Sequence, residues 1–391
     1  MDGNDTSSLS VISTNEGNIG HNAISAMVGK RARWHIPYGI LGNLERISAK
    51  FAFVPVQQMR IQTKNPRVLC GLAFVVLLAS CFSAHAQDPA LRKIRVLCLN
   101  RPLPVVLAQS NGILAKYGIE VEFTIAPSSE VLRSDLAAGK GDVAYIALDN
   151  GVAMVDSAGA DVVIVMGGES SGNEIIAQPG IKSIADLRGR TVIVDATNTA
   201  YALELKDVLR TSGLQPEKDY SIKPIGSTKF RLQAMRDHFE YAASVMNPPF
   251  SILARQYGMV SLGSMQTLLG TDLDRGTFAM RPWARDHADL LTRYLAAYIE
   301  GQRLLLAPSN KQQVIGLLTK ESNVPESVAG EWYAAIIPTG EYAKDAQFNV
   351  ESFKKALKLR AVVEAGGNSK AEGPEKYYDP SYYRMALSRV K

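Results

Sequence analysis

The stretch SIADLRGRTVIVDATNTAYALELKDVLR, residues 183–210, contains a complete strand-to-helix unit. Ser183 and Asp186 form a capping-box-like pair, which predicts a short helix at its start. The apolar, mostly β-branched run 191–194 predicts a strand that is buried on both faces of a parallel sheet. An apolar stripe that begins at Tyr201 predicts a long helix after a polar loop. This order of elements is typical of α/β proteins.

The polar loop of this stretch is a candidate binding site. It presents three residue types that cap helix N-termini, namely Thr197, Asn198 and Thr199. Helix N-termini at the carboxyl ends of parallel strands attract small anions, because unpaired backbone N–H groups point towards the ligand. An ordinary, well-capped turn is the alternative interpretation of the same residues.

Strands and helices alternate through most of the remaining chain, which predicts doubly wound parallel sheets. Further strands are predicted at 94–99, 120–124, 143–147, 161–166, 220–225 and 241–246. One helix is predicted from Pro104 to Lys116, and a helical C-terminal part is predicted at 288–306, 310–318, 325–335 and 350–363. Right-handed crossovers place the strand-to-helix loops of a sheet at one edge. The length of 391 residues favours two lobes over one.

The front of the chain has the pattern of a secretory signal peptide. A basic segment from Met59 precedes an apolar run of 11 residues, 68–78, and an Ala-x-Ala site ends at Ala86. The run is too short to span a bilayer. We expect translation to start at Met59, so that residues 1–58 are a mis-annotated extension.

A second processing route competes with cleavage after Ala86. Residues 78–81 fit a lipobox, in which Cys81 would carry a lipid. We expect a periplasmic protein, either free or anchored as a lipoprotein through Cys81.

Composition excludes several function classes once the leader is removed. Residues 1–86 hold eight Lys or Arg and four Asp or Glu, so the remaining 305 residues carry 35 basic and 34 acidic side chains. This near-neutral balance predicts no nucleic-acid partner and no membrane-surface partner. After residue 86, Cys98 is the only cysteine, and His238 and His287 are the only histidines. We therefore expect no metal site and no cofactor.

One motif raises the possibility of catalysis. Residues 168–172 match G-x-S-x-G, in which Ser170 would be the nucleophile of a serine hydrolase. That motif requires a strand before it and a helix directly after it, whereas residues 174–178 read as another extended run. The alternative is a glycine-rich crossing from one lobe to the next, with a return crossing near 276–280.

Several motifs together resemble the NMT1/SsuA-like periplasmic substrate-binding proteins of ABC transporters. The resemblance spans residues 92–366, and the pieces follow the family's order. It rests on LAQSNGILAKYGIEVE (107–122), LAAGKGDVA (136–144), KSIADLRGRTV (182–192), GLQPEKDY (213–220), NPPF (247–250) and ARQYG (254–258). Members of this family that make the thiamine pyrimidine use a Cys-rich motif, which this chain lacks.

The resemblance implies a type II periplasmic-binding-protein fold, with two α/β lobes joined by two hinge crossings. The implied division is 88–175 for lobe 1, 176–276 for lobe 2, and 277–391 for the return to lobe 1 and the C-terminal helices, after a leader of 1–58 and 59–86. By analogy, the ligand-binding residues are Asn100, Arg101, Pro102, Leu103, Asp149, Asn150, Glu169, Ser170, Thr197, Asn198, Thr199, Tyr201, Asn247 and Pro248. A surface salt bridge is the alternative role for Arg101.

These features predict a monomeric, non-enzymatic solute-binding protein that serves an inner-membrane permease. Helix N-termini favour an organic anion, such as a sulfonate or a carboxylate. A neutral heterocycle, such as a thiamine-precursor pyrimidine, and a serine hydrolase that uses Ser170 remain the alternatives.

Overall fold

Ten strands and fourteen α-helices are found in the residues that the computed structural model describes, which are 90–170, 172–270, 274–339, 342–364 and 372–390. The predicted leader lies outside them. The strands are β1 Arg92–Cys98, β2 Ile119–Ile125, β3 Val143–Ala147, β4 Val162–Ser170, β5 Glu174–Ala177, β6 Arg190–Val194, β7 Tyr220–Pro224, β8 Tyr241–Met246, β9 Val260–Ser264 and β10 Asp274–Met280.

The helices follow the strands in alternation and then fill the C-terminal part. They are α1 Leu103–Ser110, α2 Ile113–Lys116, α3 Ser129–Ala137, α4 Asp149–Ala158, α5 Ala200–Thr211, α6 Thr228–Asp237, α7 Phe250–Gln256, α8 Met265–Leu269, α9 Arg281–Asp286, α10 Ala288–Leu306, α11 Lys311–Ser322, α12 Glu326–Ile336, α13 Val350–Glu364 and α14 Pro380–Arg389. Among the described residues, no helix is both long enough and apolar enough to cross a membrane.

Two five-stranded sheets organise these elements. The first has the order β2-β1-β3-β10-β4 and the second the order β7-β6-β8-β5-β9. We call the first sheet with its packed helices lobe 1 and the second lobe 2. The chain leaves lobe 1 after β4 and returns to it with β10. The predicted fold class is therefore confirmed, with two α/β lobes, two crossings and a helical C-terminal part.

Each sheet differs from a purely parallel one at a single strand. β10 lies antiparallel between β3 and β4, and β5 lies antiparallel between β8 and β9. These are the two strands that follow the crossings between lobes. Their direction is set by the side from which the chain enters the second sheet or returns to the first.

The stretch 183–210 folds as its sequence predicts. Ser183 and Asp186 form both hydrogen bonds of a capping box on a short 3₁₀ helix. β6 is buried at Val192, Ile193 and Val194, and α5 begins directly after Thr199.

The helix predicted from Pro104 to Lys116 is wrong as a single element. It is divided into α1 and α2 at Gly112, which has a φ of 72°. A left-handed residue ends a helix, and glycine adopts that conformation without steric cost. The C-terminal helix α14 was not predicted either.

Helix α10 packs closely against α1, and this contact depends on Gly301. A Cβ atom at that position would lie 1.9 Å from the carbonyl oxygen of Pro104. We expect Gly301→Ala to lower the melting temperature, because overpacking a core contact costs about 1–3 kcal/mol. Gly316→Ala on α11 is the matched control, since its Cβ would have no neighbour within 4 Å. Helix propensity alone favours Ala there, so equal melting temperatures for the two variants would contradict this account.

Candidate functional site

A cavity of about 420 Å³ lies between the two lobes. Lobe 1 contributes Asn100 and Arg101 from the loop after β1, and Tyr145 from β3. Lobe 2 contributes the start of α5 and the start of α6. The volume lies within the range typical of sites for small molecules.

Five helices begin at the wall of this cavity. Their first residues or caps line it, namely Ser129 of α3, Asn150 of α4, Thr199 and Ala200 of α5, Ser227 and Thr228 of α6, and Phe250 of α7. Since strand-to-helix loops lie at one edge of each doubly wound sheet, two sheets that face each other bring these N-termini together. The backbone dipoles of these helices favour negative charge in the cavity.

Arg231 places a buried positive charge in the wall contributed by lobe 2. Its side chain is 1% exposed. Its guanidinium donates to the Ser244 hydroxyl, the Thr228 hydroxyl, and the carbonyl oxygens of Gly226 and Val245. These partners are all neutral, and Arg231 forms no salt bridge with another described residue. Burial lowers the pKa of Arg231, while the carboxylate of Asp195 acts in the opposite direction.

Arg275 places a second guanidinium in the cavity, from β10 of lobe 1. It donates to the Asn100 side-chain oxygen at 3.3 Å, and its Cζ lies 5.0 Å from the ring centroid of Tyr145. In the sheet, Arg275 is paired with Glu169 of β4. The Glu169 carboxylate is 2% exposed and accepts hydrogen bonds from the hydroxyls of Tyr145 and Tyr298. Glu169 therefore holds Tyr145 in the cavity wall from behind.

Tyr201 lies within electrostatic reach of both guanidinium groups. Burial raises the pKa of Tyr201 to about 12, while the positive charges of Arg275 and Arg231 act in the opposite direction. The Cζ of Arg231 lies 5.6 Å from the ring centroid of Tyr201. The hydroxyl of Tyr201 makes no hydrogen bond with another described residue. Three donor side chains from two lobes therefore reach the same part of the cavity.

The cavity also contains negative charge. Asp195 is 6% exposed and accepts hydrogen bonds from Ser129 of lobe 1 and Thr199 of lobe 2. Arg101 pairs with Glu321 of α11, with 2.6 Å between Nε and Oε2. The alternative role for Arg101, a salt bridge, is thus present at the mouth of the cavity.

The lobes touch across the cleft at a glycine. The backbone N–H of Ser227 donates to the carbonyl oxygen of Pro127 at 3.1 Å. The preceding residue, Gly226, has a φ of 104°, and a Cβ atom there would lie 2.8 Å from the same oxygen. This contact requires glycine, because any larger residue would hold the two backbones apart.

A polar cluster joins the two lobes beside the cavity. Asp149 at the start of α4 is 5% exposed, and its Oδ2 lies 3.6 Å from Nη1 of Arg360. Arg360 donates to the carbonyl oxygen of Asn198, and Arg133 donates to the Asn198 side-chain oxygen. Burial raises the pKa of Asp149 to about 7, although Arg360 and Arg133 act against this shift.

Six of the sequence-predicted binding residues line the cavity, namely Asn100, Arg101, Asn150, Thr199, Tyr201 and Asn247. Others lie behind it: Pro102 and Leu103 are buried at the start of α1, Glu169 supports Tyr145, and Asp149 and Asn198 belong to the polar cluster. Thr197 is exposed, and Ser170 and Pro248 are half-buried outside the wall. Their roles in ligand binding stay predictions.

The hydrolase motif does not form a nucleophile elbow. Ser170 is the last residue of β4, and the next element is β5 rather than a helix. The described histidines contact other residues: His238 contacts Glu240 and Tyr241, and His287 stacks on Trp283. Neither histidine is placed as a general base for Ser170. Among the described residues, no group of three or more His, Cys, Asp or Glu side chains is arranged to hold a metal ion.

Sequence reasoning missed the two guanidinium groups of the cavity. Arg231 lies on the buried face of α6 with Thr228, Leu232 and Met235. A charged residue on such a face is rare, so its position in the sequence could have indicated a functional role. Arg275 directly precedes the segment that was predicted as the return crossing. Its position opposite Glu169 depends on the antiparallel insertion of β10, which no periodicity indicates.

Comparisons with known proteins agree with this geometry. Residues 111–247 match the family described as "ABC transporter, phosphonate, periplasmic substrate-binding protein". This match begins in lobe 1 and ends at Asn247 in the cavity wall. The fold is that of the periplasmic substrate-binding proteins. Comparison with curated proteins finds no match for the chain.

Solved structures of binding proteins share this fold at low sequence identity. The nitrate-binding protein NrtA from Synechocystis PCC 6803 is 14% identical, with a TM-score of 0.63 over 78% of this chain and 90% of NrtA. The alkanesulfonate-binding protein SsuA from Xanthomonas axonopodis pv. citri, bound to MOPS, is 18% identical, with a TM-score of 0.61 over 76% of this chain and 100% of SsuA. At these identities the likeness shows the fold alone.

An enzyme shares the fold as well. The desulfurization enzyme DSZB is 12% identical, with a TM-score of 0.53 over 76% of this chain and 99% of the enzyme. The only free cysteine among the described residues, Cys98, is fully buried, and burial raises its pKa to about 12. A reactive cysteine requires a thiolate that substrate can reach, so Cys98 is not suited to that role.

Gly226→Ala is expected to hold the cleft open, because the added Cβ meets the Pro127 oxygen. Spin labels at the exposed Val131 of lobe 1 and Phe239 of lobe 2 report the distance between the lobes. Gly258→Ala is the matched control, because Gly258 has a φ of 85° but its Cβ would have no neighbour within 4 Å. A longer distance in both variants, or in neither, would contradict a steric role for position 226.

Asp149→Asn is expected to change the pH dependence of stability. The folded state raises the pKa of Asp149 from an ordinary value of about 4, so its stability contribution is fully present below about pH 4 and is lost as pH rises through 7. The melting temperature of the variant, relative to the parent, should therefore increase from pH 4 to pH 8. Glu351→Gln, at an exposed carboxylate, is the control. Parallel pH profiles for Asp149→Asn and the parent would disprove the shift.

Proposed function

We propose that the chain is the extracytoplasmic solute-binding protein of an ABC importer. It captures a small organic anion, such as a sulfonate or a carboxylate, between its lobes and delivers it to the membrane permease. The match of residues 111–247 to a family of periplasmic substrate-binding proteins supports the transport role.

The observation that carries the anion is the buried charge of Arg231, which forms no salt bridge with another described residue and has only the carboxylate of Asp195 within electrostatic reach. A buried guanidinium costs several kcal/mol of desolvation, which its neutral hydrogen-bond partners offset only in part. An anion in the cavity adds the missing negative charge. Arg275 faces the same cavity from the opposite lobe, so one anionic group can attract both lobes at once.

Ligand binding then favours the closed cleft. A ligand shifts a two-state protein only through contacts that it makes better in one state. Arg231 belongs to lobe 2 and Arg275 to lobe 1, so an anion held by both is bound best when the lobes are together. The helix N-termini from both lobes act in the same direction. The aromatic rings of Tyr145, Tyr201 and Phe250 provide apolar surface for the remainder of the ligand.

The solved relatives favour the same ligand class. SsuA is described as an alkanesulfonate-binding protein and NrtA as a nitrate-binding protein. Both names describe anions that carry their charge on oxygen atoms. A guanidinium binds such groups well, because its N–H donors match the geometry of paired oxygens.

A thermal-shift screen tests the proposal. Short alkanesulfonates, MOPS and short carboxylates are expected to raise the melting temperature, and uncharged pyrimidines of similar size are not. A ligand at 100 times its dissociation constant adds about 2.7 kcal/mol of stability. If only the pyrimidines raised the melting temperature, the ligand would be a neutral heterocycle and not an anion, which is the alternative that the sequence left open.

Arg275→Gln distinguishes the anion site from general stability. Within the described part of the chain its side chain donates a single hydrogen bond, to Asn100, so removal of the charge is expected to leave the fold intact. Affinity for the anion should fall at least tenfold, because a hydrogen bond to a charged group is worth about 1.5–3 kcal/mol. Arg236→Gln, at an exposed arginine of α6, is the matched control and should keep the parent affinity. Equal affinities in the two variants would show that Arg275 does not contribute to anion binding.

A further inference from the structure

The loop 195–199 forms part of the cavity wall, yet side chains outside lobe 2 hold it in place. It carries Asp195 and Thr199, which both line the cavity, and it leads directly into α5. The carbonyl oxygen of Asn198 in this loop accepts from Nη1 and Nη2 of Arg360 at 3.3 and 3.0 Å. The Asn198 side-chain oxygen accepts from Nη2 of Arg133 at 2.8 Å.

Asp149 links these two arginines and reaches α5 as well. Its carboxylate lies 3.6 Å from Nη1 of Arg360, and the backbone N–H of Ala200, the first residue of α5, acts to lower its pKa. Arg133 of α3 and Asp195 of the loop are the other charged groups whose electrostatic influence reaches Asp149. A carboxylate of lobe 1 therefore lies near the start of a helix of lobe 2, where the helix dipole favours negative charge.

The helix that carries Arg360 packs against both lobes. Phe353 and Leu357 of α13 belong to the same apolar cluster as Ile146 and Phe278 of lobe 1. Two residues after Leu357, Leu359 packs in a cluster with Ala147 of lobe 1 and with Ala200 and Leu203 of α5. Arg360 is 4% exposed at this junction. Arg360 is thus held where α13 meets both lobes, and its hydrogen bonds reach the loop 195–199 of lobe 2.

We propose that Arg360, with Asp149 and Arg133, forms an inter-lobe latch that holds the loop 195–199 in its ligand-binding position and slows the release of ligand. Arg360 is a positioning residue, since it does not line the cavity and acts through the loop. The effect on release rests on the proposed function, whereas the effect on the loop does not.

Two variants of Arg360 and one control test the latch. Arg360→Gln removes the charge and most of the hydrogen bonding to the carbonyl oxygen of Asn198. Arg360→Lys keeps the charge beside Asp149 but loses the two-pronged donation to one carbonyl, so it should fall between the parent and the Gln variant. Lys354→Gln, at an exposed lysine of the same helix that pairs with Glu351, is the matched control.

Hydrogen–deuterium exchange of the ligand-free full chain tests the hold on the loop. In Arg360→Gln, the amides of Ala200 to Leu203 should exchange at least about tenfold faster, while those of β1 and β2 keep the parent rate. A uniform increase over both lobes would overturn the proposal, because it would show a general loss of stability. Parent exchange rates at the start of α5 would overturn it as well.

Dissociation of MOPS from the full chain tests the second claim. The dissociation rate should rise at least about tenfold in Arg360→Gln, rise less in Arg360→Lys and stay unchanged in Lys354→Gln. An unchanged rate in Arg360→Gln would overturn the role in release, even where MOPS binds tightly. If the parent fails to bind MOPS or any other anion, the proposed function fails, and hydrogen exchange alone then decides whether the latch exists.

Discussion

The antiparallel insertion of β10 between β3 and β4 is the constraint on which the rest of the structure depends. The chain between β4 and β10 forms lobe 2. Because β4 and β10 are neighbours in the sheet of lobe 1, both ends of lobe 2 are attached to that sheet. The insertion also brings Arg275 opposite Glu169, beside the Tyr145 ring. The same hydrogen-bonded ladder that joins the lobes therefore places a cation at the cavity between them.

Charge is distributed unevenly around the cleft. Towards the cavity, Arg231 and Arg275 form no salt bridge with a described residue and have neutral hydrogen-bond partners. Away from it, Asp149 lies close to Arg360 and within electrostatic reach of Arg133. An unpaired buried charge costs free energy in a low-dielectric interior, whereas a paired one costs less. The unpaired side is thus suited to a ligand, and the paired side to holding two lobes together.

The sequence was sufficient to predict the local elements. Ser183 and Asp186 cap a short helix, and the run 191–194 is a buried strand, because capping and burial on both faces leave a direct pattern in neighbouring residues. The sequence analysis predicted a single helix over 104–116 and missed its division, since a glycine such as Gly112 is tolerated inside a helix as well as at its end. Six predicted binding residues lie on the cavity wall because each follows a strand, and strand ends share one edge of a sheet.

What the sequence by itself determined is therefore the class of fold, the order of its elements and the loops that face the cleft. Only the tertiary structure decided which charged residues reach the cavity and which are paired behind it. Arg231, Arg275 and Arg360 are the same residue type, yet two face the cavity and one holds the loop 195–199. The difference depends on contacts with residues that are distant in sequence, such as Ser244 for Arg231, Asn100 for Arg275 and Asn198 for Arg360, and such contacts leave no trace in local periodicity.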